Sequence, residues 1–170
     1  METPDLFKKN LKEGKVDYEM LGACIYSFNK RAKNCRDRYR EYVWKYRHSG
    51  WWEKDYISRS MDEVEAKKDE YYGYKDYFLT LLSPYKIHKC RRWNERLDIE
   101  IVEYFLYFEV AGYSFHHPIS KDEITNYNLE IVELPSDFNT EGEGIEELLS
   151  VQFAKKVYAG LKNGTLCLTA

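Results

Sequence analysis

Cysteine is sparse in this chain of 170 residues, with single residues at 24, 35, 90 and 167 and no Cys-x-x-Cys pair. That spacing excludes a disulfide scaffold and the usual zinc-ribbon and thiol-redox signatures, so the thiols are expected to be reduced. Proline is as rare, at positions 4, 84, 118 and 135, so the stretch between the first two is open to long uninterrupted helices. Long apolar runs are missing: the longest, Tyr104–Phe108, falls far short of the roughly 20 residues a membrane helix needs. The first ten residues are polar and charged, so no secretory leader and no membrane association are expected, and a cytoplasmic setting follows.

The familiar catalytic signatures are also missing. There is no GxxxxGK[ST] loop, no GxGxxG after a strand, no GxSxG elbow and no HExxH. Gly142 and Gly144 lie in an acidic stretch that would repel phosphate. Potential metal ligands gather only at His88-Lys89-Cys90 and His116-His117. On a strand, His88 and Cys90 share a face, but a zinc site would need several further contacts. No cofactor, no metal and no enzymatic activity are expected.

What the sequence has in quantity is aromatic side chains and charge. Hydrophobic residues make up 44% and charged residues 32%, the balance of a globular protein. Sixteen tyrosines suit either half-buried seams or a binding surface, because the ring packs while the hydroxyl stays wet.

The clearest pattern is a heptad seam. Leu21, Ile25, Phe28, Ala32, Cys35, Tyr39, Tyr42 and Tyr46 recur at alternating steps of four and three, which predicts a helix from a cap at Asp17 to about Arg47, ending near Gly50. Ile57, Met61, Val64, Lys68, Tyr71, Lys75, Phe78 and Leu82 repeat the rhythm with two lysines in it, and Ser83-Pro84 stops it. Two long helices joined by a few residues pack antiparallel. A short helix, capped at Thr3 with Pro4 in its first turn, precedes them and stops by Gly14.

From Tyr85 the period changes to two. Strands are expected at Lys86 to Trp93, across Leu97, Ile99 and Ile101 into Val102 to Val110, and at Tyr113 to Phe115 after a turn at Gly112. Leu97, Ile101, Phe105 and Phe108 also fit a helical face, but the β-branched and aromatic content favours strand. Pro118 should end that run, residues 119–127 should be loop, Leu129 to Leu134 a further strand, and Phe138 to Gly144 an acidic loop. Ile145, Leu148, Leu149, Phe153, Val157 and Leu161 predict a C-terminal amphipathic helix with Glu146 and Glu147 in its first turn, and Thr165 to Leu168 a short edge strand. The expected fold is therefore α+β: a long antiparallel, coiled-coil-like helical hairpin over residues 1–84, then a small antiparallel sheet with a C-terminal packing helix over residues 85–170, the two forming one cooperative domain.

The charge is unevenly placed. Residues 1–96 hold 22 Lys and Arg against 16 Asp and Glu, whereas residues 97–170 hold 4 against 13. Arg31, Arg38 and Lys45 line one flank of the second helix at heptad spacing, and Lys33, Arg40 and Arg47 line the other, while Asp62, Asp69 and Asp76 make the next helix acidic. Lys86, Lys89, Arg91, Arg92 and Arg96, with Trp93 among them, form a second basic cluster. The plainer reading of both is solvated surface.

Two functional readings follow. In the first, the chain is a protein-binding module. Trp51 and Trp52, placed in a tight inter-helix loop, cannot both pack on their own helices and serve as anchors, and the basic flanks steer the partner. In the second, a nucleic-acid binder uses the basic helix and the 86–96 cluster, with Trp93 stacking on a base; a sequence pI near 5.9 weighs against a dedicated binder of this kind. In size, in its Lys/Tyr/Asn/Glu bias and in lacking catalytic motifs, the chain resembles accessory proteins of phages and mobile elements, anti-CRISPR inhibitors among them. That resemblance is one of composition alone. It implies an inhibitor or adaptor that occupies a surface of a larger protein or nucleoprotein complex, acting as a monomer or homodimer.

Overall fold

The computed structural model describes residues 3–136 and 148–169. They fall into two compact units, Met1–Phe78 with Glu147–Ala170, and Leu79–Glu146. The fold is α+β, as the periodicities predict, with the long helices packed together and followed by a small sheet and a C-terminal helix.

In the first unit, α1 (Asp5–Lys12) is followed by β1 (Lys15–Val16), α2 (Tyr18–His48) and α3 (Trp51–Thr80). Pro4, not Thr3, is the residue that flanks α1, and it makes no side-chain cap. Asp17 caps α2 by accepting the Met20 N–H at 2.8 Å, and the Asn10 amide donates to its other oxygen at 3.0 Å. The predicted seam is the buried face: Leu21, Ile25, Phe28 and Ala32 are fully buried, and Cys35 nearly so. Phe28 meets Tyr71, Tyr74 and Phe78, and the Lys68 amine lies over the Tyr39 ring at 5.9 Å. Pairing 28 with 74 and 39 with 68 sets the helices antiparallel, and the two seams meet within one chain.

The C-terminal α4 (Val151–Asn163) packs in this unit beside α2, with Tyr158 edge-on to Tyr74, Tyr77 and Phe78. A core of Phe and Tyr rings therefore absorbs several of the tyrosines. By its contacts this helix groups with the hairpin. It starts later than Ile145. Residues 148–150 are not helical, and Ser150 caps α4 by accepting the Phe153 N–H at 3.2 Å. The expected acidic loop and first-turn glutamates lie outside the described residues. Gly160 presses against Leu166 so closely that a Cβ would come within 2.3 Å of it. That turn-back lets β6 (Cys167–Leu168) pair in parallel with β1.

The second unit is a four-stranded sheet of β2 (Lys86–Asn94), β3 (Ile99–Val110), β4 (Tyr113–Ile119) and β5 (Ile131–Leu134) in the order β4-β3-β2-β5. β2, β3 and β4 pair antiparallel through two hairpins. The β3–β4 turn puts Ala111 and Gly112 at φ of 46° and 85°, as a tight two-residue hairpin requires. β5 runs parallel to β2, so the sheet is mixed where an all-antiparallel one was expected. Two further details differ from the sequence reading. Pro118 does not end its strand, because β4 is an edge strand where a missing N–H is tolerated. Part of the expected 119–127 loop is a 3-10 helix, Lys121–Asn126.

Candidate partner-binding surfaces

On α2 the hairpin buries side chains well only over its base, although Val64 and Ile57 of α3 are buried farther along. The buried residues of α2 end at Cys35. A two-helix pair can bury one stripe per helix, so Tyr39 and Tyr42 are half-buried and Tyr46 is exposed. The tip that results is aromatic. Trp51 is 82% exposed, Trp52 69%, Tyr56 67% and Trp44 62%.

The connection itself is shorter than the sequence suggests. Only Ser49 and Gly50 are non-helical, so Trp51 and Trp52 occupy the first turn of α3 and not a loop. Their rings meet edge to face at 6.0 Å. The Trp52 ring folds back over Gly50, where a Cβ would sit 2.6 Å from it. Glycine at 50 thus gives Trp52 its seat and leaves Trp51 projecting. Tyr56, one turn farther on, is exposed as well, and so, on the other helix, is Trp44 near the end of α2. The sequence reading passed over both; an off-seam tryptophan on an otherwise charged helix face was the available signal.

The two basic flanks of α2 fare differently. Arg38 and Lys45 are exposed, but Arg31 is half-buried: its guanidinium donates to the Ser27 hydroxyl, which donates to the Leu149 carbonyl at 2.9 Å. Arg31 thus belongs to the packing of α2 on the segment leading into α4. On the other flank Arg40 and Arg47 are exposed and Lys33 is half-buried. Burial, together with the nearby Lys30 and Arg36 cations, holds the Lys33 ammonium below the usual lysine range against the opposing pull of Asp37.

The 86–96 cluster does not form one patch. Strand alternation sends Lys86 and Arg92 to one face and Lys89, Arg91 and Trp93 to the other, with Arg96 in the turn. Arg91 is clamped by Glu133 at 2.6 Å and Glu100 at 3.0 Å, which raises its pKa and cancels its charge locally. An open cleft of about 650 Å³ is lined by Lys89, Arg91, Tyr104 and Lys121, with Glu103 at its wall. Of its cations, Arg91 is neutralised by its two carboxylate partners.

The histidines come together in part. His88 Nδ1 and His116 Nε2 lie 2.8 Å apart, both buried, with His88 stacked on Tyr107 at 4.3 Å. One imidazole must donate and the other accept, so the bond requires at least one neutral ring. Burial first, then Lys86, lowers the His88 pKa, with Glu109 opposing. His117 alternates to the other face. Among the described residues no three His, Cys, Asp or Glu side chains gather as metal ligands would. Desolvation raises the pKa of the Cys24, Cys35 and Cys90 thiols, the opposite of an activated nucleophile.

No helix among the described residues is long and apolar enough to cross a membrane. A scan against family models finds no match, and searches of curated proteins and of solved structures return no similar chain.

Proposed function

We propose that the chain is a non-catalytic protein-binding module that docks the tip of its helical hairpin into a larger partner. The observation that carries this reading is the exposure of Trp51, Trp52 and Tyr56 at one end of a rigid helical pair. Exposed indoles cost solubility unless a partner covers them, and Trp and Tyr dominate binding hot spots. Lys45 near the tip and Arg38 farther back along the same flank add positive charge, which speeds encounter with an acidic partner. Such a module acts by occupying a surface, as an inhibitor or adaptor does. The compositional likeness to accessory proteins of phages and mobile elements supports a role of that kind inside a cell.

The test is affinity capture from host lysate after nuclease treatment, with the native chain and the Trp51→Ala/Trp52→Ala variant side by side. A single large protein retained by the native chain and lost by the variant, with melting temperature unchanged, supports the reading. Equal capture by both would sink it. The 86–96 cluster as a nucleic-acid site is weakened by its division between two faces and by the clamped Arg91.

A further inference from the structure

A different face of α2 carries its own pattern. Lys33, Arg36, Arg40, Trp44 and Arg47 follow one another at steps of three, four, four and three, which places them along one ridge. The ridge runs from residue 33 to residue 47, or about 21 Å of rise. From Lys30 to His48 the helix holds eight Lys and Arg against two acids. One of these, Asp37, approaches Arg36 at 3.8 Å; the other, Glu41, lies toward the Arg38–Lys45 flank.

Trp44 sits in the middle of the exposed part, with Arg40 one turn before it and Arg47 one turn after. Its indole stacks on the His48 imidazole, with ring centres 4.2 Å apart and planes 21° from parallel. The His48 Nδ1–H donates to the Trp44 carbonyl at 2.8 Å. The imidazole is thus tied to the backbone and backs the indole, so a flat aromatic plate is held in place at a helix position between those of two arginines.

We infer that this ridge binds single-stranded nucleic acid, with a base stacking on Trp44 and the flanking phosphates on Arg40 and Arg47. Cations along a track with an aromatic plate among them are what an unpaired strand needs. An acidic protein surface would use the cations and have no need of the plate. A duplex keeps its base faces stacked inside and could not use it either. Trp51, Trp52 and Tyr56 lie on α3 and are not members of the ridge, so it stands or falls independently of protein docking through them.

The test is fluorescence anisotropy of a labelled thymidine oligonucleotide of about 20 nucleotides, with the full chain, from about 50 to 200 mM salt. The expected log–log salt slope is about −0.7 per phosphate contacted, and Arg40→Gln should make it shallower by about that amount. Trp44→Ala should weaken binding roughly tenfold with the slope unchanged, and Trp44→Phe should restore part of the loss. Trp51→Ala/Trp52→Ala should leave binding intact. Arg40 and Trp44 are exposed, so circular dichroism should show the variants folded. No binding at the lowest salt would overturn the inference. So would a Trp44→Ala variant that binds as well as the native chain. Competition by poly-L-glutamate as effective as by unlabelled oligonucleotide would overturn it too, and would assign the ridge to an acidic protein.

Discussion

Lys75 offers the sharpest test of how the hairpin is packed. It occupies a seam position of α3 and is only 5% exposed, its amine 5.7 Å from the centre of the Tyr72 ring. Burial lowers its pKa from 10.5 to about 8, with Asp76 pulling weakly the other way. At about 1.4 kcal/mol per unit, holding the protonated amine in the folded state costs up to about 3 kcal/mol at neutral pH. Lys75→Met keeps the packed stem and removes the charge. It should therefore stabilise the chain by about 1–3 kcal/mol at pH 7, the lower figure allowing for polar contacts the amine gives up.

The pH dependence identifies the cause. Between pH 8 and 10.5 the unfolded amine holds its proton and the folded one has released it, so native stability rises through this window relative to the variant. The advantage of Lys75→Met should be full below pH 8 and fade by about pH 10.5. Taking the difference between the two proteins cancels the tyrosines, which titrate in the same range. Urea unfolding followed at 222 nm, where the long helices dominate the signal, measures it. A variant less stable than the native chain at pH 7, or an advantage that does not change with pH, would refute the reasoning.

Two other predictions follow from the cores. Phe28 is fully buried against Tyr71, Tyr74 and Phe78, so Phe28→Ala should cost about 3–5 kcal/mol, and Phe28→Asp should abolish cooperative melting; an unchanged melting curve would show the seam misplaced. In the sheet, the lowered His88 pKa means the unfolded chain takes up that proton first as pH falls below the ordinary histidine value, so stability is present at neutral pH and lost toward acid. His88→Phe should keep the stack on Tyr107, lose about 1–3 kcal/mol at pH 7 through the broken bond to His116, and show a flatter loss toward pH 5; urea midpoints followed near 218 nm at the two pH values decide it.

Much of this architecture could be read from spacing, because one physical requirement dominates each element. A heptad seam has to face a partner, and Leu21 through Cys35 do; a two-period run has to alternate, and Ile87 and Cys90 fall on opposite faces of β2 as it demands. Where the reading missed, the deciding term was non-local. Pro118 stays in its strand because β4 lies at an edge, which no window around residue 118 can reveal. β5 runs parallel to β2 because of how the chain returns after the 3-10 helix. Lys75 is buried at a seam position where lysine was read only as a flaw in the pattern, and the desolvation it suffers is invisible without its neighbours.

The same distinction governs the candidate surfaces. A cluster in sequence is a surface in space only if the element's period carries its members to one side. All the basic residues of 86–96 but Arg96 lie on a strand, and a period of two divides them between faces, where Glu100 and Glu133 are positioned to take up Arg91. Lys33, Arg40 and Arg47 lie on a helix, and steps of seven return nearly to the same angle, so their charges add. Trp44 falls between Arg40 and Arg47 by the same geometry, and His48, four residues on, is positioned to stack on it. Of the two basic stretches in this chain, only the helical one can present a continuous cationic track to a ligand. Exchanging Trp44 with Val43 would keep composition and charge and turn the indole about 100° off the ridge. If a strand binds along α2, that exchange should weaken it as much as Trp44→Ala does. Binding that survives the exchange would mean that bulk charge, and not the ordered ridge, holds the ligand.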